Sequence, residues 1–431
     1  MKLIHTADWH LGAKLCDRDR LPEQARFLEW FAGLLREERP DLLVVAGDVF
    51  DTHQPSPAAQ KLYYDLLAAI VRDRLCRCVA ILGGNHDSAQ LLAVPERLLS
   101  PLGIRIVARR AEAPADEAIL VPSADGGPGL ALAAVPFLSK ADLANSAPPE
   151  EGEGAGPERP DRADRAARLR SGFAAHYRAV AAAARAAAPG APLVVAGHGV
   201  LEGCLARDIR PGRLRPVGGV DAYPAETLPP ADYVAFGHLH LPQSVGGNPC
   251  VRYSGAPLPM SFFEAGTPKS VVRAEFGAPG EPPRIEEVPV PAFRRLAALK
   301  GTPEELRAAV EGLVAERAEC WVSLAATEGA ADGDMASFWA DLDRAASGSG
   351  VELLVREEPP PPEAAAGTGR AALAAASTAD GLRAASPLEV GLMRLREAAA
   401  SPAEFEIYAA MLREAVEAAE AGAAPGEGAA P

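Results

Sequence analysis

The stretch Leu42-Leu43-Val44-Val45-Ala46-Gly47-Asp48-Val49-Phe50-Asp51 joins a short apolar run to a glycine and two carboxylates. Five apolar residues in succession are typical of a strand that is covered on both faces, as in the parallel sheets of α/β proteins. Glycine allows the backbone to turn sharply where such a strand ends. The two aspartates are therefore predicted at the carboxyl end of a buried strand, where α/β sheets bind their ligands.

Four other segments repeat this arrangement of an apolar run that ends in polar residues. They are Leu3 to Ala7 before Asp8 and His10, Cys78 to Leu82 before Gly83-Gly84-Asn85-His86-Asp87, Leu193 to Ala196 before Gly197-His198-Gly199, and Tyr233 to Phe236 before Gly237-His238-Leu239-His240. Amphipathic stretches such as 21–38 and 57–74 lie between the runs. This alternation predicts an α/β fold, a two-sheet sandwich flanked by helices, whose strand ends bring all five polar clusters to one edge.

The residue types in these clusters suit a site for two metal ions. Aspartate, asparagine and histidine offer oxygen and nitrogen atoms without a thiolate, a combination that favours Mn²⁺ or Fe over structural zinc. Four ligands per ion, with one shared, fit two ions about 3.5–4 Å apart, which polarise a phosphoryl group and supply a hydroxide nucleophile. Each motif alone is weak, but five of the eight histidines lie in them. We expect the other three, His5, His53 and His176, to be core or surface residues.

The motifs occur in a fixed order, which is Asp8-x-His10, Gly47-Asp48-x-x-Asp51, Gly84-Asn85-His86-Asp87, Gly197-His198 and Gly237-His238-x-His240. With this set the chain resembles the calcineurin-like metallophosphoesterase superfamily. Within it, the stretches His5 to Gly12, Asp232 to Gln243 and Arg252 to Phe262 are similar to the SbcD family of bacterial DNA-nuclease subunits. The resemblance is strong over about residues 1–300, looser over about 300–355 and faint beyond.

The resemblance implies a role for each motif residue. Seven residues are expected to hold two ions, namely Asp8, His10 and His240 on one, Asn85, His198 and His238 on the other, and Asp48 as the bridge. In the family the residue at His86 is not a ligand but contacts the scissile phosphate and assists the leaving oxygen. Asp51 takes the position of a partner for that histidine, where a carboxylate favours the imidazolium. The alternative is that Asp51 is only a turn residue.

The resemblance also implies an activity and partners. The family members are nucleases that use Mn²⁺, or Mg²⁺ or Fe in its place, to degrade duplex DNA ends as 3′–5′ exonucleases and to cut hairpins or single strands. They act with the SbcC ATPase in DNA repair and recombination, as a homodimer of nuclease subunits within a heterotetramer. This sequence contains no P-loop, so we expect ATP hydrolysis in the partner. The chain is expected to be cytoplasmic, associated with the nucleoid and not with a membrane.

Composition divides the chain into five regions. We expect a nuclease domain over 1–285, with a loop insert at about 145–163, and a small α/β capping domain over 286–356. A flexible linker over 357–385, rich in Pro, Ala, Gly and Ser, is expected to lead to helices over 386–420 and a disordered tail over 421–431. The two C-terminal helices are predicted to begin at Ser386-Pro387 and Ser401-Pro402, because each serine is followed by a glutamate in a capping-box pattern.

Two further groups of side chains are candidate contact surfaces. The second C-terminal helix has an apolar face that we expect to bind the ATPase or, alternatively, to pack on the core, formed by Phe405, Tyr408, Leu412 and Val416. Four arginines between two ligand motifs are candidates for DNA phosphates or for a solvated loop, namely Arg207, Arg210, Arg213 and Arg215. The first surface would bind a protein and the second would bind DNA.

The net charge of −15 argues against a nucleic-acid binder until it is divided along the chain. Residues 1–280 carry 30 basic and 32 acidic side chains, whereas residues 281–431 carry 13 and 26. Most of the acidity therefore lies outside the predicted catalytic part, which two divalent ions would make net positive. The six scattered cysteines form no C-x-x-C pair and suggest neither a zinc ribbon nor a disulfide framework.

Two alternative functions stay open. One is another phosphoesterase of the same fold, such as a phosphoprotein phosphatase or a cyclic-nucleotide phosphodiesterase, which would need neither the capping region nor the 252–262 match. The other is a catalytically silent scaffold for SbcC, which is at odds with the complete set of predicted ligands.

Overall fold

The computed structural model describes residues 1–123, 129–148, 162–207, 214–216, 222–278, 280–330 and 334–359. Most of the predicted insert at 145–163 lies outside these ranges, as do the predicted C-terminal helices over 386–420. The apolar face proposed for that region also lies outside the described residues, namely Phe405, Tyr408, Leu412 and Val416.

The first sheet has six strands, and the apolar run Leu42–Ala46 is near its centre. The order across this sheet is Arg284–Pro289, Ser270–Glu275, Lys2–Thr6, Leu42–Ala46, Cys78–Leu82 and Ile104–Val107. The last four strands are parallel, and the first two pair in antiparallel fashion. Every side chain of Leu42–Ala46 is buried, as expected for an apolar run that is covered on both faces.

The second sheet also has six strands. Their order is Gln243–Val245, Asn248–Tyr253, Tyr233–Gly237, Leu193–His198, Leu130–Ala134 and Ala118–Val121. The four inner strands are parallel, and each edge strand is antiparallel to its neighbour. The two central strands are buried along their whole length. Because both sheets have parallel centres, the residues that follow their strands gather at one edge of each sheet.

The two sheets pack face to face and are covered by helices on their outer faces. Side chains from both inner faces meet in one apolar cluster, in which Val44 of the first sheet and Val194 of the second are fully buried. The first sheet is covered by helices Leu21–Glu38 and Pro57–Asp73, and the second by Lys140–Ser146 and Arg162–Ala187. The order of layers is helix, sheet, sheet, helix, which confirms the predicted sandwich.

Several helices begin where the sequence supplies a cap. Ser56 accepts a backbone hydrogen bond at the start of Pro57–Asp73, and Thr302 forms a capping box with Glu305 at the start of Pro303–Ala315. Proline follows both caps, and its fixed φ favours the first helical turn. Within the part of the chain that the structure describes, no helix combines the length and apolar character needed to cross a bilayer.

A smaller α/β unit follows the two sheets. It consists of three parallel strands and two helices, namely Arg295–Gly301, Cys320–Ala326 and Val351–Glu357 with Pro303–Ala315 and Met335–Ala346. The unit has its own apolar cluster, in which Val322 and Leu342 are fully buried. Together with the two sheets it lies in one compact unit, Met1–Glu358.

The predicted domain boundary at residues 285/286 differs from the structure. It falls inside the strand Arg284–Pro289, which pairs with Ser270–Glu275 at the edge of the first sheet. The first sheet therefore continues to residue 289. The shift in composition near Pro282-Pro283 precedes this last strand and does not mark the end of the sheet.

Short elements complete the described part of the chain. They are the strand pairs Lys14–Leu15 with Arg18–Asp19, Val200–Leu201 with Ala222–Tyr223 and Leu205–Arg207 with Leu214–Pro216, the helices Ala89–Ala93 and Glu96–Leu99, and the 3₁₀ turns Ser100–Leu102, Pro114–Glu117, Ala225–Thr227 and Phe262–Glu264. The last of these turns brings a carboxylate to the edge where the polar clusters meet.

Candidate metal centre

Asp8, His10 and Asp48 follow two neighbouring parallel strands of the first sheet. The loops that carry them are joined by backbone hydrogen bonds, from the Asp8 nitrogen to the Gly47 oxygen and from the His10 nitrogen to the Asp48 oxygen, each 3.0 Å long. The three side chains are therefore held side by side. All are buried, with exposed fractions of 0% for Asp8, 2% for His10 and 1% for Asp48.

Four of the predicted ligands have a left-handed backbone conformation. Their φ angles are +54° at Asp8, +45° at His10, +52° at Asp48 and +103° at His238. A residue held in a sparsely populated region of this kind costs about 1–3 kcal/mol, and it persists only where the surrounding structure fixes it. The fold thus holds these four side chains at one sheet edge against local backbone strain.

Two of the strand-end glycines leave room for predicted ligands. A Cβ atom on Gly84 would lie 2.1 Å from Oδ1 of Asp48, and one on Gly47 would lie 2.2 Å from Nδ1 of His198. Both distances are too short for real contacts, so any side chain at these positions would displace a neighbouring group. The glycines therefore serve close packing around the polar side chains, in addition to the sharp turn that the sequence predicts.

Asp87 ties together the loops that carry Asp48 and Asn85. Its buried carboxylate accepts hydrogen bonds from the backbone nitrogens of Val49 at 3.1 Å, Phe50 at 2.9 Å and Gly84 at 2.9 Å. One side chain therefore anchors both loops. The sequence motif contains Asp87, but nothing in the pattern indicates this role.

Asp8, His10 and His240 form one group of potential ligand atoms. One atom from each lies within 4.8 Å of the others, and Nε2 of His10 is 3.2 Å from Nε2 of His240. Both Asp8 oxygens accept from the backbone N–H of His238, at 2.8 and 3.1 Å, which fixes the carboxylate. Two imidazoles and a carboxylate that converge in this way can share one divalent cation.

Asp48, His198 and His238 form a second group within the same 4.8 Å limit. Oδ2 of Asp48 is 3.3 Å from Nε2 of His198 and 3.6 Å from Nε2 of His10, so this carboxylate faces both groups. The amide oxygen of Asn85 is 3.0 Å from Nε2 of His198 and 2.8 Å from Nδ1 of His238. The structure thus brings the seven predicted ligands to one edge, with Asp48 between the two groups.

The backbone determines which nitrogen of His198 carries a proton. Its Nδ1 lies 2.7 Å from the carbonyl oxygen of Ala46. A carbonyl oxygen can only accept, so Nδ1 is the donor and Nε2 is left to face Asp48. Metal-binding histidines commonly donate their second nitrogen to a backbone carbonyl in this way.

The charges of the centre are closely coupled. Burial disfavours the charged form of His198, yet the nearby carboxylates of Asp48 and Asp8 raise its pKa to about 9. Burial also disfavours charge on Asp48, but the adjacent His198 holds the pKa of that carboxyl well below its usual range. For Asp8 burial prevails and raises its pKa. In the protein without a cation, a proton on His198 therefore balances the charge of Asp48.

A divalent cation fits these residues on chemical grounds. Carboxylates and imidazoles that are buried together carry a large cost unless their charges are balanced. A cation between the two groups would supply that balance, and it would displace the proton of His198. The donor atoms are carboxylate oxygen, amide oxygen and imidazole nitrogen, which are ligands that Mn²⁺ and Fe accept.

His86 lies at the exposed rim of the centre. Its Nδ1 donates to the backbone oxygen of Asp51 at 2.8 Å, and its backbone N–H donates to Oδ1 of Asp48 at 2.9 Å. Its ring centroid is 4.8 Å from that of His10, and one of its ring nitrogens belongs to a third close group with His10 and Asp48. The side chain is thus beside the predicted ligands and open to solvent.

The carboxylate of Asp51 does not face His86, contrary to the prediction. Its Oδ1 is 3.3 Å from Nδ1 of His10, an ionic contact without hydrogen-bond geometry. The backbone carbonyl of Asp51 contacts His86 instead. The motif indicates the right stretch of chain, but the side chain turns towards the buried imidazole. Asp51 is therefore placed to orient His10, and it does not directly charge His86.

The four predicted DNA-contacting arginines are only partly within the described residues. Arg207 and Arg215 lie on the paired strands Leu205–Arg207 and Leu214–Pro216, whereas Arg210 and Arg213 lie outside the described ranges. Their role in DNA contact stays a prediction.

The three histidines outside the motifs have other surroundings. His5 is buried between the sheets, with Nδ1 3.0 Å from the hydroxyl of Tyr233. His176 is buried and pairs with Glu117 at 2.8 Å. His53 is exposed. None of the three belongs to a described group of close potential ligands.

Glu264 and Lys269 support His240, and no sequence motif marks either residue. Oε1 of Glu264 is 3.8 Å from Nδ1 of His240, while Nζ of Lys269 donates to the His240 carbonyl oxygen at 3.0 Å and pairs with Glu264. Burial disfavours charge on Glu264, but its neighbours His240 and Lys269 lower its pKa to about 2. The pair thus holds both the ring and the backbone of His240.

Comparison with known proteins places this chain in a class. The sequence profile described as calcineurin-like phosphoesterase matches residues 1–242. The chain belongs to the calcineurin-like phosphoesterase family. This confirms the predicted resemblance and the expectation of a hydrolytic phosphoesterase. The family and the His/Asp groups together indicate a site for a divalent metal.

Similar proteins within this class carry one common name, the SbcD component of the nuclease SbcCD. The chain is 33% identical over 315 residues to that component from Escherichia coli K12, covering 72% of this chain and 74% of the relative. It is 36% identical over 322 residues to the component from Rhodobacter capsulatus, covering 73% and 76%. It is 35% identical over 293 residues to the one from Bacillus subtilis, covering 67% and 69%.

Proposed function

We propose that this chain is the nuclease subunit of a complex with the SbcC ATPase and that it hydrolyses phosphodiester bonds in DNA. The proposal is carried by one observation, the two groups of potential ligands that meet at Asp48. The names of the similar proteins supply the substrate class and the partner. The proposed metals are two Mn²⁺ ions, one on Asp8, His10 and His240, the other on Asn85, His198 and His238, with Asp48 shared.

The residues of this chain bind, orient and exchange protons around the reacting phosphodiester. Two bound divalent cations polarise the phosphodiester and supply a hydroxide nucleophile. His86 is exposed beside them, and its Nδ1–H is held by the carbonyl of Asp51. This bond leaves Nε2 facing outward, and a carbonyl acceptor favours the imidazolium, whose second N–H can donate to the leaving oxygen. His86 is therefore the proposed proton donor.

The proposed reaction includes cleavage of duplex ends in the 3′–5′ direction and cleavage of hairpins or single strands. The arginines Arg207, Arg210, Arg213 and Arg215 are proposed to hold DNA phosphates. The unit that begins at Arg295 is the proposed capping domain. Residues 386–420 are the proposed docking segment for SbcC. The proposed site of action is the bacterial cytoplasm.

The proposed homodimer has a candidate contact surface on the first-sheet side. Val94, Leu98 and Leu102 follow one another at intervals of four residues over consecutive helical turns, and they are 78%, 77% and 54% exposed. Apolar side chains exposed together on one face often mark a protein interface. Val94→Asp combined with Leu98→Asp should convert a dimer to a monomer in light scattering. A wild-type chain that is monomeric at all concentrations would contradict the proposal.

The decisive experiment is Mn²⁺-dependent cleavage of end-labelled duplex DNA, with and without SbcC and ATP. We expect cleavage only with metal, and loss of cleavage by about 10²- to 10⁴-fold in His86→Gln, the usual contribution of a positioned proton donor. His53→Gln is the matched control, since His53 is an exposed histidine outside the centre. His86→Gln should still bind metal. Loss of metal binding together with activity would make His86 a ligand.

The two alternatives predict different results in the same assay. A protein that cleaves a small phosphodiester such as bis(p-nitrophenyl) phosphate but no DNA would be another phosphoesterase of this fold. A protein that neither binds nor is activated by Mn²⁺ would be a scaffold. Deleting 386–420 should abolish association with SbcC while metal-dependent phosphodiesterase activity persists, and retained association would contradict the docking proposal.

A further inference from the structure

A cavity of about 250 Å³ opens directly beside the candidate metal centre. Asn85, His198 and His238, which form one of the proposed ligand sets, contribute to one of its walls. The cavity extends from there towards the helices that cover the second sheet, where its walls are largely apolar and aromatic. The space is therefore continuous with the place where a phosphodiester would bind, but its chemistry is different from that of the ligands.

Phe137 lies at the boundary between this cavity and the centre. Its side chain is 36% exposed, which is unusual for a phenylalanine beside a cluster of charged groups. Its backbone N–H donates to the carbonyl oxygen of Gly83 at 2.8 Å, so it is tied to the strand end that leads to Asn85. The ring is 6.2 Å from that of His198, at an interplanar angle of 79°. The aromatic surface is thus held at a fixed distance from a proposed ligand.

The opposite part of the cavity is also aromatic. The rings of Phe173 and Tyr223 are stacked, with centroids 4.2 Å apart and planes 2° from parallel. Both side chains are largely buried, whereas Phe137 is open. A flat aromatic group that enters the cavity would therefore find an exposed ring near the centre and a rigid aromatic wall behind it.

We propose that this cavity receives the nucleobase of a nucleotide that adjoins the scissile phosphate, with Phe137 as the stacking surface. The inference rests on the proposed nuclease function, because the groups next to a phosphate in DNA are a deoxyribose and a base. Of these two, the base is planar and stacks on aromatic side chains. Such stacking does not depend on sequence, since every base has a π-face. It would position the strand without selecting a sequence.

The test uses the full chain with SbcC, ATP and Mn²⁺ on a short single strand. The strand has one cleavable phosphodiester between methylphosphonate linkages, and a tetrahydrofuran abasic residue replaces the base on its 5′ or 3′ side. We expect the wild type to cleave the intact strand about 5- to 150-fold faster than one of the two abasic strands, the factor that stacking of one base contributes. Phe137→Ala should remove this preference by slowing cleavage of the intact strand only.

Three variants separate stacking from bulk and folding. Phe137→Tyr keeps an aromatic ring and should keep the preference for the base, whereas Phe137→Leu keeps apolar volume and should lose it. Leu120→Ala, which removes another exposed apolar side chain of the second sheet, should behave like the wild type. Thermal unfolding of all variants reports whether the fold is intact.

The outcomes distinguish this inference from the proposed function. A wild type that cleaves the intact strand and both abasic strands equally fast would overturn the base-binding inference alone. An equal loss on intact and abasic strands in Phe137→Ala would do the same, because it would show a general effect on the centre. A wild type that cleaves no DNA would overturn the proposed nuclease function, and this inference with it.

Discussion

The two sheets contribute different chemistry to the same edge. The first sheet supplies both carboxylates, the amide and a single imidazole, whereas the second supplies only imidazoles, namely His198, His238 and His240. The first-sheet loops are held by backbone bonds to each other and by the buried carboxylate of Asp87. The second-sheet rings are oriented from outside their own strands, by the carbonyl of Ala46 and by Glu264.

This difference shows that the centre belongs to the seam between the sheets. Neither sheet alone has four donors for each of two ions, and the negative charge of the predicted ligands is entirely on one side. The first sheet therefore supplies fixed charge, and the second sheet supplies groups that exchange a proton for a cation. Changes on the two sides should have different consequences, which the following variants test.

The largest effect is expected for Asp48→Asn. The amide keeps the shape but removes the charge that faces both groups, so both ions should be affected. We expect metal affinity and cleavage to fall by more than the roughly 10–100-fold that is typical of changes one shell further out. Calorimetric titration with Mn²⁺ measures the affinity and number of ions. Asp65→Asn, on the exposed face of a helix, is the control, and unchanged binding of both ions in Asp48→Asn would contradict the bridging role.

Gly84→Ala should disturb the first-sheet side by crowding. Its Cβ would clash with Oδ1 and the backbone nitrogen of Asp48, and overpacking of this kind costs about 1–3 kcal/mol of unfolding free energy. Gly33→Ala is the matched control, because a Cβ there meets nothing within 4 Å and should stabilise its helix by about 0.5–1 kcal/mol. Denaturation with urea gives both values. Equal effects of the two substitutions would show that Asp48 can shift freely.

Glu264→Gln should weaken the second-sheet side more selectively. Glutamine loses the charge beside Nδ1 of His240 but keeps the size of the side chain. We expect about a 10–100-fold loss of affinity for one of the two ions, since Glu264 touches only one ligand. Glu316→Gln, at an exposed ion pair, serves as the control. An equal loss for both ions would indicate a general structural effect.

The mildest test changes only the pH. The pKa of His198 is raised to about 9, so the imidazole is protonated at pH 7 in the metal-free protein and must lose that proton to a cation. Affinity for Mn²⁺ should therefore rise about tenfold per pH unit between pH 7 and 9 and then level off. Calorimetry in two buffers of different ionisation enthalpy should show release of about one proton. A binding enthalpy that is the same in both buffers would exclude this exchange.

The same shift has a consequence for stability without metal. A group whose pKa is raised on folding stabilises the fold fully below its unfolded value, here 6.5, and the effect is lost as the pH rises through about 9. Removal of metal should therefore destabilise the protein more at pH 9 than at pH 6. This separates the proton on the second sheet from the fixed charge on the first.

Much of the fold could be predicted because buried strands and long helices leave strong local patterns. The strand Leu42–Ala46 and the helix Leu21–Glu38 have the bounds that the sequence indicates. The edge strand Arg284–Pro289 leaves no such pattern, since it is mostly exposed and its place is set by pairing with a neighbour. The register of that pairing, which no local pattern encodes, decides where the first sheet ends.

The centre shows the same limit at the level of single atoms. Motif spacing predicts which residues meet, because parallel strands end at one edge. It does not predict whether a side chain or its carbonyl makes a contact, and for Asp51 these two go to different histidines. Glu264 reaches His240 through the path of a loop, so tertiary structure alone reveals it.

The distance along the chain between the ligands also bears on protein synthesis. The predicted set begins at Asp8 and is complete only at His240. At about 5–20 residues per second, a ribosome needs roughly 10–50 s to make that length. During this time the emerging chain has the first-sheet carboxylates but not the last imidazoles. Any hydrolytic activity of the centre is therefore withheld until both sheets have been made and packed, so a nascent chain cannot damage DNA near its own ribosome.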